Sequence, residues 1–98
     1  MVRRHRIKLL AHAAALLADT DPHQSWLLLD QACQIDPLSD ELARTTMHAA
    51  VALGDADAIR HRLTTLRDAL DAHGLELSDE TETLANELLR QLRPPPQR

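Results

Sequence analysis

The six histidines are the residues in this sequence that first suggest a metal site, because imidazole is a common zinc ligand. A helical zinc site usually pairs two histidines three or four residues apart, or places a cysteine close to a histidine. Neither spacing occurs in this chain. We therefore expect no metal site, and side chains that are solvent-facing or half-buried, at His5, His12, His23, His48, His61 and His73.

Serine and cysteine side chains are the possible nucleophiles. Ser25, Ser39 and Ser78 fall in first turns or caps of predicted helices, where a hydroxyl is expected to bond to the backbone. Cys33 has no basic neighbour in the sequence, and it lies on an apolar helix face as a small hydrophobe would. The acidic run at 79–82 begins a helix and needs no substrate to explain it. The sequence thus predicts no catalytic residue and no cofactor, and we expect that the chain is not an enzyme.

The composition predicts an all-α domain. The chain has 98 residues, enough for one core, and 44% of them are hydrophobic. Trp26 is the only aromatic residue, so leucine and alanine must fill the interior. There are only two glycines, and no run alternates apolar with polar residues as a strand would. A single cysteine cannot form an internal disulfide, which agrees with a reducing compartment.

Charge argues against nucleic acid and membranes as direct partners. The formal net charge is −4, so the chain as a whole should repel phosphate backbones and anionic lipids. The basic cluster Arg3, Arg4, Arg6 and Lys8 could still touch duplex DNA, but a solvated helix turn explains it more simply. No apolar stretch approaches the ~20 residues that a transmembrane helix needs. We expect a cytoplasmic chain, or a piece of a longer one, without direct nucleic-acid binding or membrane insertion.

Two Asp-Pro pairs divide the first half of the chain into helices. Aspartate at the N-cap accepts a hydrogen bond from a backbone N–H. Proline suits the first helical position because the N–H that it lacks would have no partner within the helix. Asp21-Pro22 and Asp36-Pro37 both suit such a start. The apolar pattern then predicts helices over 2–18, 22–35 and 37–53. The second helix has the widest apolar band and should be the most buried.

Two glycines and a serine divide the second half. Gly54 and Gly74 end the third and fourth helices, and Asp55 caps the fourth. The fourth helix carries a narrow leucine seam of the kind that packs two helices side by side. Ser78 caps a fifth helix that continues through Leu92. We expect one domain over 1–92 and a disordered proline-rich tail over 93–98.

A period of 34 residues links the two halves. It places Leu17 onto Val51, Asp21 onto Asp55 and Leu29 onto Leu63, and it is the period of a tetratricopeptide helix pair. Met47 and Ile59 stand where that motif usually has small residues. The period predicts a tetratricopeptide-like right-handed stack of two antiparallel helix hairpins, with the fifth helix as a C-terminal cap.

The second half also resembles a known family. The stretches "DPLSDELARTTMHAAVALGD", "LRDAL" and "GLELSDETETLANELL" are similar to the bacterial transcriptional activator domain, the helical module of actinobacterial antibiotic-regulatory activators. Leu63 and Asp79 stand where that family usually has tyrosine and proline, and the family's winged-helix DNA reader has no counterpart here. The resemblance is carried by Asp36, Pro37, Leu38, Glu41, Leu42, Met47, Gly54, Gly74, Ser78, Glu80, Thr81 and Leu84.

The resemblance implies a protein–protein interaction and oligomerisation module within a transcriptional regulator. An alternative is an adaptor, or the cytosolic domain of a cell-envelope or signalling protein, that uses the same groove without a promoter role. Repeats of this kind need about three units to bury a continuous core, so the first helix should contact an upstream domain or a second copy of the chain. Possible contact residues are Leu9, Leu10 and Trp26, although Trp26 also suits packing between helices.

Overall fold

The computed structural model describes residues 2–93, with side chains from Arg4 onward. Within that range the chain is all-helical, as predicted, and has no strand. Of the predicted tail 93–98, residues 94–98 lie outside the described residues, and Arg93 is the C-cap of the last helix. The helices are α1 (Val2–Leu17), α2 (Pro22–Ile35), α3 (Asp40–Ala52), α4 (Ala56–Ala72) and α5 (Asp79–Leu92).

Both glycines end their helices as predicted. Gly54 and Gly74 have φ of 66° and 69°, a left-handed conformation that a residue with a Cβ adopts only with strain. At the first corner, the Gly54 N–H donates to the Val51 carbonyl at 2.9 Å, and the Asp55 N–H donates to the Ala50 carbonyl at 3.1 Å. The Asp55 side chain then accepts from the Ala58 N–H at 3.0 Å and starts α4. One Gly-Asp pair therefore ends one helix and begins the next.

The two Asp-Pro pairs have different roles, and the predicted start of α3 at Pro37 was wrong. Asp21 caps α2 as expected and accepts from the Gln24 N–H at 3.2 Å. Asp36 instead closes α2, because its own N–H donates to the Ala32 carbonyl. Pro37 lies in the following turn, and Ser39 is the N-cap of α3. A residue that already ends one helix needs further chain to reverse direction, so α3 begins three residues later than predicted.

Helix α3 is the centre of the packing. It packs against α2, α4 and α5, whereas α2 packs only against α1 and α3 among the described helices. Helix α2, which was predicted to be the most buried element, and helix α3 each contribute four buried residues. Met47 of α3 and Ile59 of α4 are completely buried in the core. These large side chains fill the contact between α3 and α4, which pack directly on each other.

A polar network fixes the start of α5 beside the start of α3. The Thr81 hydroxyl donates to the Asp40 carboxylate at 2.6 Å and accepts from the Arg44 guanidinium at 2.9 Å. The Ser78 hydroxyl donates to the same carboxylate at 3.0 Å and accepts from the Thr81 N–H at 3.2 Å. Arg44 also pairs with Glu80 at 3.4 Å. The carboxylate of the first residue of α3 thus binds both the N-cap and the first turn of α5, which aligns α5 with α3.

Candidate functional site

A groove separates α1 from α3. Each of these helices packs against α2, but no α-carbon of α1 lies within 8 Å of one in α3 in the part of the chain that the structure describes. Since α3 and α5 do pack directly, the space on the α1 side of α3 is a distinct feature of this fold. Helix α2, which packs against both, also lines the groove through Pro22, Ser25 and Leu29.

Small side chains line one half of the groove. Ala11 and Ala15 of α1, with Ala18 in the turn that follows it, face Ala49 and Ala52 of α3 across a space of about 330 Å³. Alanine walls let the backbone of an occupying segment approach closely, because no long side chain stands between them. The lining of this half is predominantly apolar, so it suits the apolar face of a peptide.

The other half of the groove is larger and charged. It encloses about 640 Å³ between the first turns of α1 and α3. Arg4 and Lys8 stand on the α1 wall, Glu41 on the α3 wall, and Ile7 and Leu42 contribute apolar surface between them. The two halves are continuous, since both include Ala11 and Thr45 in their lining.

The predicted contact residues lie in three different environments. Leu9 is 55% exposed on the outside of α1 and does not line the groove. Leu10 is half-buried. Trp26 packs against the core, and its indole Nε1 is buried without a hydrogen-bond partner among the described residues. The structure therefore does not bring these three residues together into one surface.

The residues that carry the family resemblance serve mainly as corners and core. Asp36, Gly54, Gly74 and Ser78 occupy helix ends, and Pro37 lies in the turn before α3. Of the remainder, Leu38 and Leu84 pack against the core, Met47 is part of it, Leu42 is half-buried, Thr81 is buried, and Glu41 and Glu80 are exposed. Only Glu41 and Leu42 of the predicted motif residues also line the space between α1 and α3, apart from Asp36 at its edge.

The histidines are scattered over the surface. All six are exposed, and the described residues contain no group of three or more His, Cys, Asp or Glu side chains that could hold a metal ion. His48 lies on the groove wall, and the His73 ring contacts the Ala69 carbonyl at 3.0 Å near the end of α4. Their positions agree with the expectation of solvent-facing side chains.

Cys33 is a structural thiol. It is 3% exposed, and its sulfur lies 3.2 Å from the Thr46 hydroxyl oxygen. The single proton of that hydroxyl is donated to the Leu42 carbonyl at 2.7 Å, so the thiol is the donor to Thr46. Burial raises the pKa of Cys33 above its ordinary value of 9.0, although the hydrogen bond between Cys33 and Thr46 opposes this. The thiol stays protonated at neutral pH and is not a ready nucleophile.

A largely buried ion pair joins α2 to α4. Arg62 donates to the Asp30 carboxylate, and the exposed fractions of the two side chains are 8% and 20%. Gln34 also donates to Asp30, at 3.0 Å. The sequence pattern placed Leu63 in the seam of α4, but Leu63 is only half-buried and Arg62 is buried. Arg62 lies three residues after Ile59 and four before Leu66, and this spacing was the available sign that its side chain shares their buried helix face.

The groove itself was not predicted from particular residues. Its walls include alanines three and four residues apart on α1, a further alanine in the turn after α1, and two alanines three residues apart on α3. Such spacing places them on one helix face, and it was a usable signal for a close-packing surface. The pattern alone does not say whether another helix of the same chain covers that surface.

Within residues 2–93, no helix combines the length and the apolar character needed to cross a lipid bilayer. The chain was compared with protein-family models, with curated proteins and with solved structures, and none of the three comparisons found a match.

Proposed function

We propose that this chain is a non-catalytic protein-interaction module that binds an amphipathic helix of a partner protein in the groove between α1 and α3. The observation that carries the proposal is the separation of these two helices, which leaves a continuous channel with apolar alanine walls. Helical peptides commonly bind by laying an apolar face into such a groove.

The charges in the larger half of the groove indicate which charges the partner helix carries. Arg4 and Lys8 on one wall favour a carboxylate on the bound helix, and Glu41 on the other wall favours a basic side chain. The narrow end favours small or leucine side chains at helical spacing because its walls are alanine. The expected occupant is therefore an amphipathic helix with an acidic and a basic residue near one end.

We further propose a tetratricopeptide-like arrangement within a transcriptional regulator. Mutual packing of α3, α4 and α5 supports the arrangement, as do the adjacent starts of α3 and α5. The resemblance of the second half to the bacterial transcriptional activator domain supports the regulatory context. In that setting the module would contact a second regulator domain or another protein rather than the promoter.

The test uses a photoreactive residue at Thr45, between the two halves of the groove, and at the exposed Ala72 as a control. Native cells producing either form are irradiated, and a protein captured only from position 45 is purified. Its affinity is then measured by calorimetry for the unmodified chain, for Ala15→Arg and for Ala72→Arg. We expect Ala15→Arg to weaken binding by about tenfold or more, since it fills the centre of the contact.

Both alanines are exposed, so thermal unfolding should be alike in the two arginine variants. Equal capture from positions 45 and 72, or equal affinity of the two variants, would contradict the proposal. Failure to capture any protein from position 45 would do the same.

A further inference from the structure

The outer face of α1 carries a short heptad-like seam. His5, Leu9, His12 and Leu16 follow one another at intervals of four, three and four residues, and all are exposed. Leu9 and Leu16 are 55% and 69% exposed, and they are two of the large hydrophobic side chains most open to solvent in the described chain. Residues at these intervals form one stripe along a helix, as in the contact between two coiled helices.

This seam is separate from the groove and from the contact with α2. At about 100° per residue, Leu9 and Leu16 lie more than about 90° around the helix from Ala11 and Ala15 on the groove wall. Ala14, which accepts a hydrogen bond from Ser25 of α2, also lies on another side. The seam is therefore a second, independent surface.

The distribution of charge along α1 favours an antiparallel second copy of the helix as the partner of this seam. Arg4, Arg6 and Lys8 are exposed in the first half of the helix, and Asp19 and Asp21 are exposed just beyond its end. Two copies of α1 side by side in the same direction would bring the basic halves together and repel each other. In opposite directions, the basic half of each copy faces the acidic end of the other.

We infer that two copies of this chain pair through the outer faces of their α1 helices in antiparallel orientation. In this register Leu16 lies opposite the partner's His5, and Leu9 lies opposite the partner's His12. Each leucine then packs on an imidazole ring instead of on a second leucine. This self-pairing goes beyond groove binding. Either can fail without the other because Leu9 and Leu16 do not line the groove, although the charged Arg4, Lys8 and Asp19 do.

The pairing should be weak. One helix laid on another buries less than the ~1,200 Å² of a standard stable interface. We therefore expect dimers to form at protein concentrations of roughly 0.1–1 mM, and to dissociate on dilution. Sedimentation velocity of the full chain over that range should show a concentration-dependent monomer–dimer equilibrium.

Disulfide trapping tests both the face and the direction. Antiparallel pairing places Leu16→Cys of one copy against His5→Cys of the other, so an equal mixture of the two variants should cross-link under mild oxidation. Leu16→Cys alone should not, because two copies of position 16 would be about 16 Å apart along the axis, beyond the ~7 Å limit of a disulfide. The unmodified chain is the control, since its own Cys33 is buried.

Charge substitutions give the second measurement. Leu16→Asp should abolish the dimer in sedimentation velocity, whereas Leu75→Asp, which changes a leucine that is 49% exposed before α5, should leave it intact. Both positions are exposed, so circular dichroism should show folded helices in each variant. Cross-linking of Leu16→Cys with itself would indicate parallel pairing and overturn the inference. So would an uncross-linked mixture, a chain that stays monomeric at about 1 mM, or a dimer that survives Leu16→Asp.

Discussion

The ion pair between Asp30 and Arg62 gives the sharpest test of how α2 and α4 are held together. Their side chains are only 20% and 8% exposed, so solvent screens the pair weakly. Asp30→Ala leaves a buried guanidinium whose Nε already lacks a partner among the described residues, and we expect a loss of about 3 kcal/mol in the free energy of unfolding. Arg62→Met keeps the aliphatic stem, and Asp30 retains Gln34 and some water, so about 1.5 kcal/mol should be lost.

The double variant shows how much of each single loss comes from leaving a buried charge without its partner. Independent effects would sum to about 4.5 kcal/mol, but a double variant has no orphaned charge and should lose only about 1.5–2 kcal/mol. Urea unfolding followed by circular dichroism and by the fluorescence of Trp26 measures all three variants. The surface pair Asp57–Arg60, with exposed fractions of 94% and 61%, is the control and should show no measurable coupling. Additive single effects at Asp30 and Arg62 would refute this reasoning.

Three further substitutions test local features. Gly54→Ala should cost about 1 kcal/mol in urea unfolding, entirely from backbone strain at φ of 66°, because nothing lies within 4 Å of the added Cβ; an unchanged midpoint would contradict this. Thr81→Val keeps the shape of a fully buried side chain but removes its hydrogen bonds to Asp40 and Arg44. It should lower the free energy of unfolding in urea by about 1–2 kcal/mol. An unchanged free energy would show that the network does not stabilise the fold. The pKa of Cys33 is raised in the folded state, so the folded chain holds the thiol proton more tightly than the unfolded chain does. The resulting contribution to the free energy of unfolding is complete below pH 9.0 and is lost as the pH rises above it. Chemical unfolding should therefore show a decline in stability above about pH 9, at most about 1.4 kcal/mol per pH unit, that Cys33→Ala removes. An equal decline in both chains would exclude Cys33 as its source, and the absence of tyrosine and the single lysine keep the background low.

Local signals in the sequence were enough to predict most of the helix ends. As helix ends, Asp21, Gly54, Gly74 and Ser78 act through backbone hydrogen bonds to residues at most five positions away, and the residue types indicate such short-range geometry directly. Asp36 was misassigned because two local roles, ending α2 and starting α3, were both open to it. Which role it takes depends on Ser39, which offers a competing cap three residues later.

Features that depend on distant residues could not be predicted in the same way. Arg62 is buried because α2 supplies Asp30, 32 residues earlier in the chain, and nothing near Arg62 reveals that partner. The groove depends on how far α2 holds α1 from α3, which is a property of packing and not of any one helix. The alanine faces of both walls were visible in the sequence, but an alanine face suits a covered surface as well as an open one.

The account depends most directly on the open space between α1 and α3. Methyl-labelled alanine and leucine in the free chain would measure it through nuclear Overhauser effects, which report methyl pairs in close contact. We predict strong cross-peaks between the α1 and α2 methyl groups and none of comparable strength between Ala15 of α1 and Ala49 of α3. Strong cross-peaks between those two alanines would show that α1 closes against α3, and they would contradict the groove on which the proposed function depends.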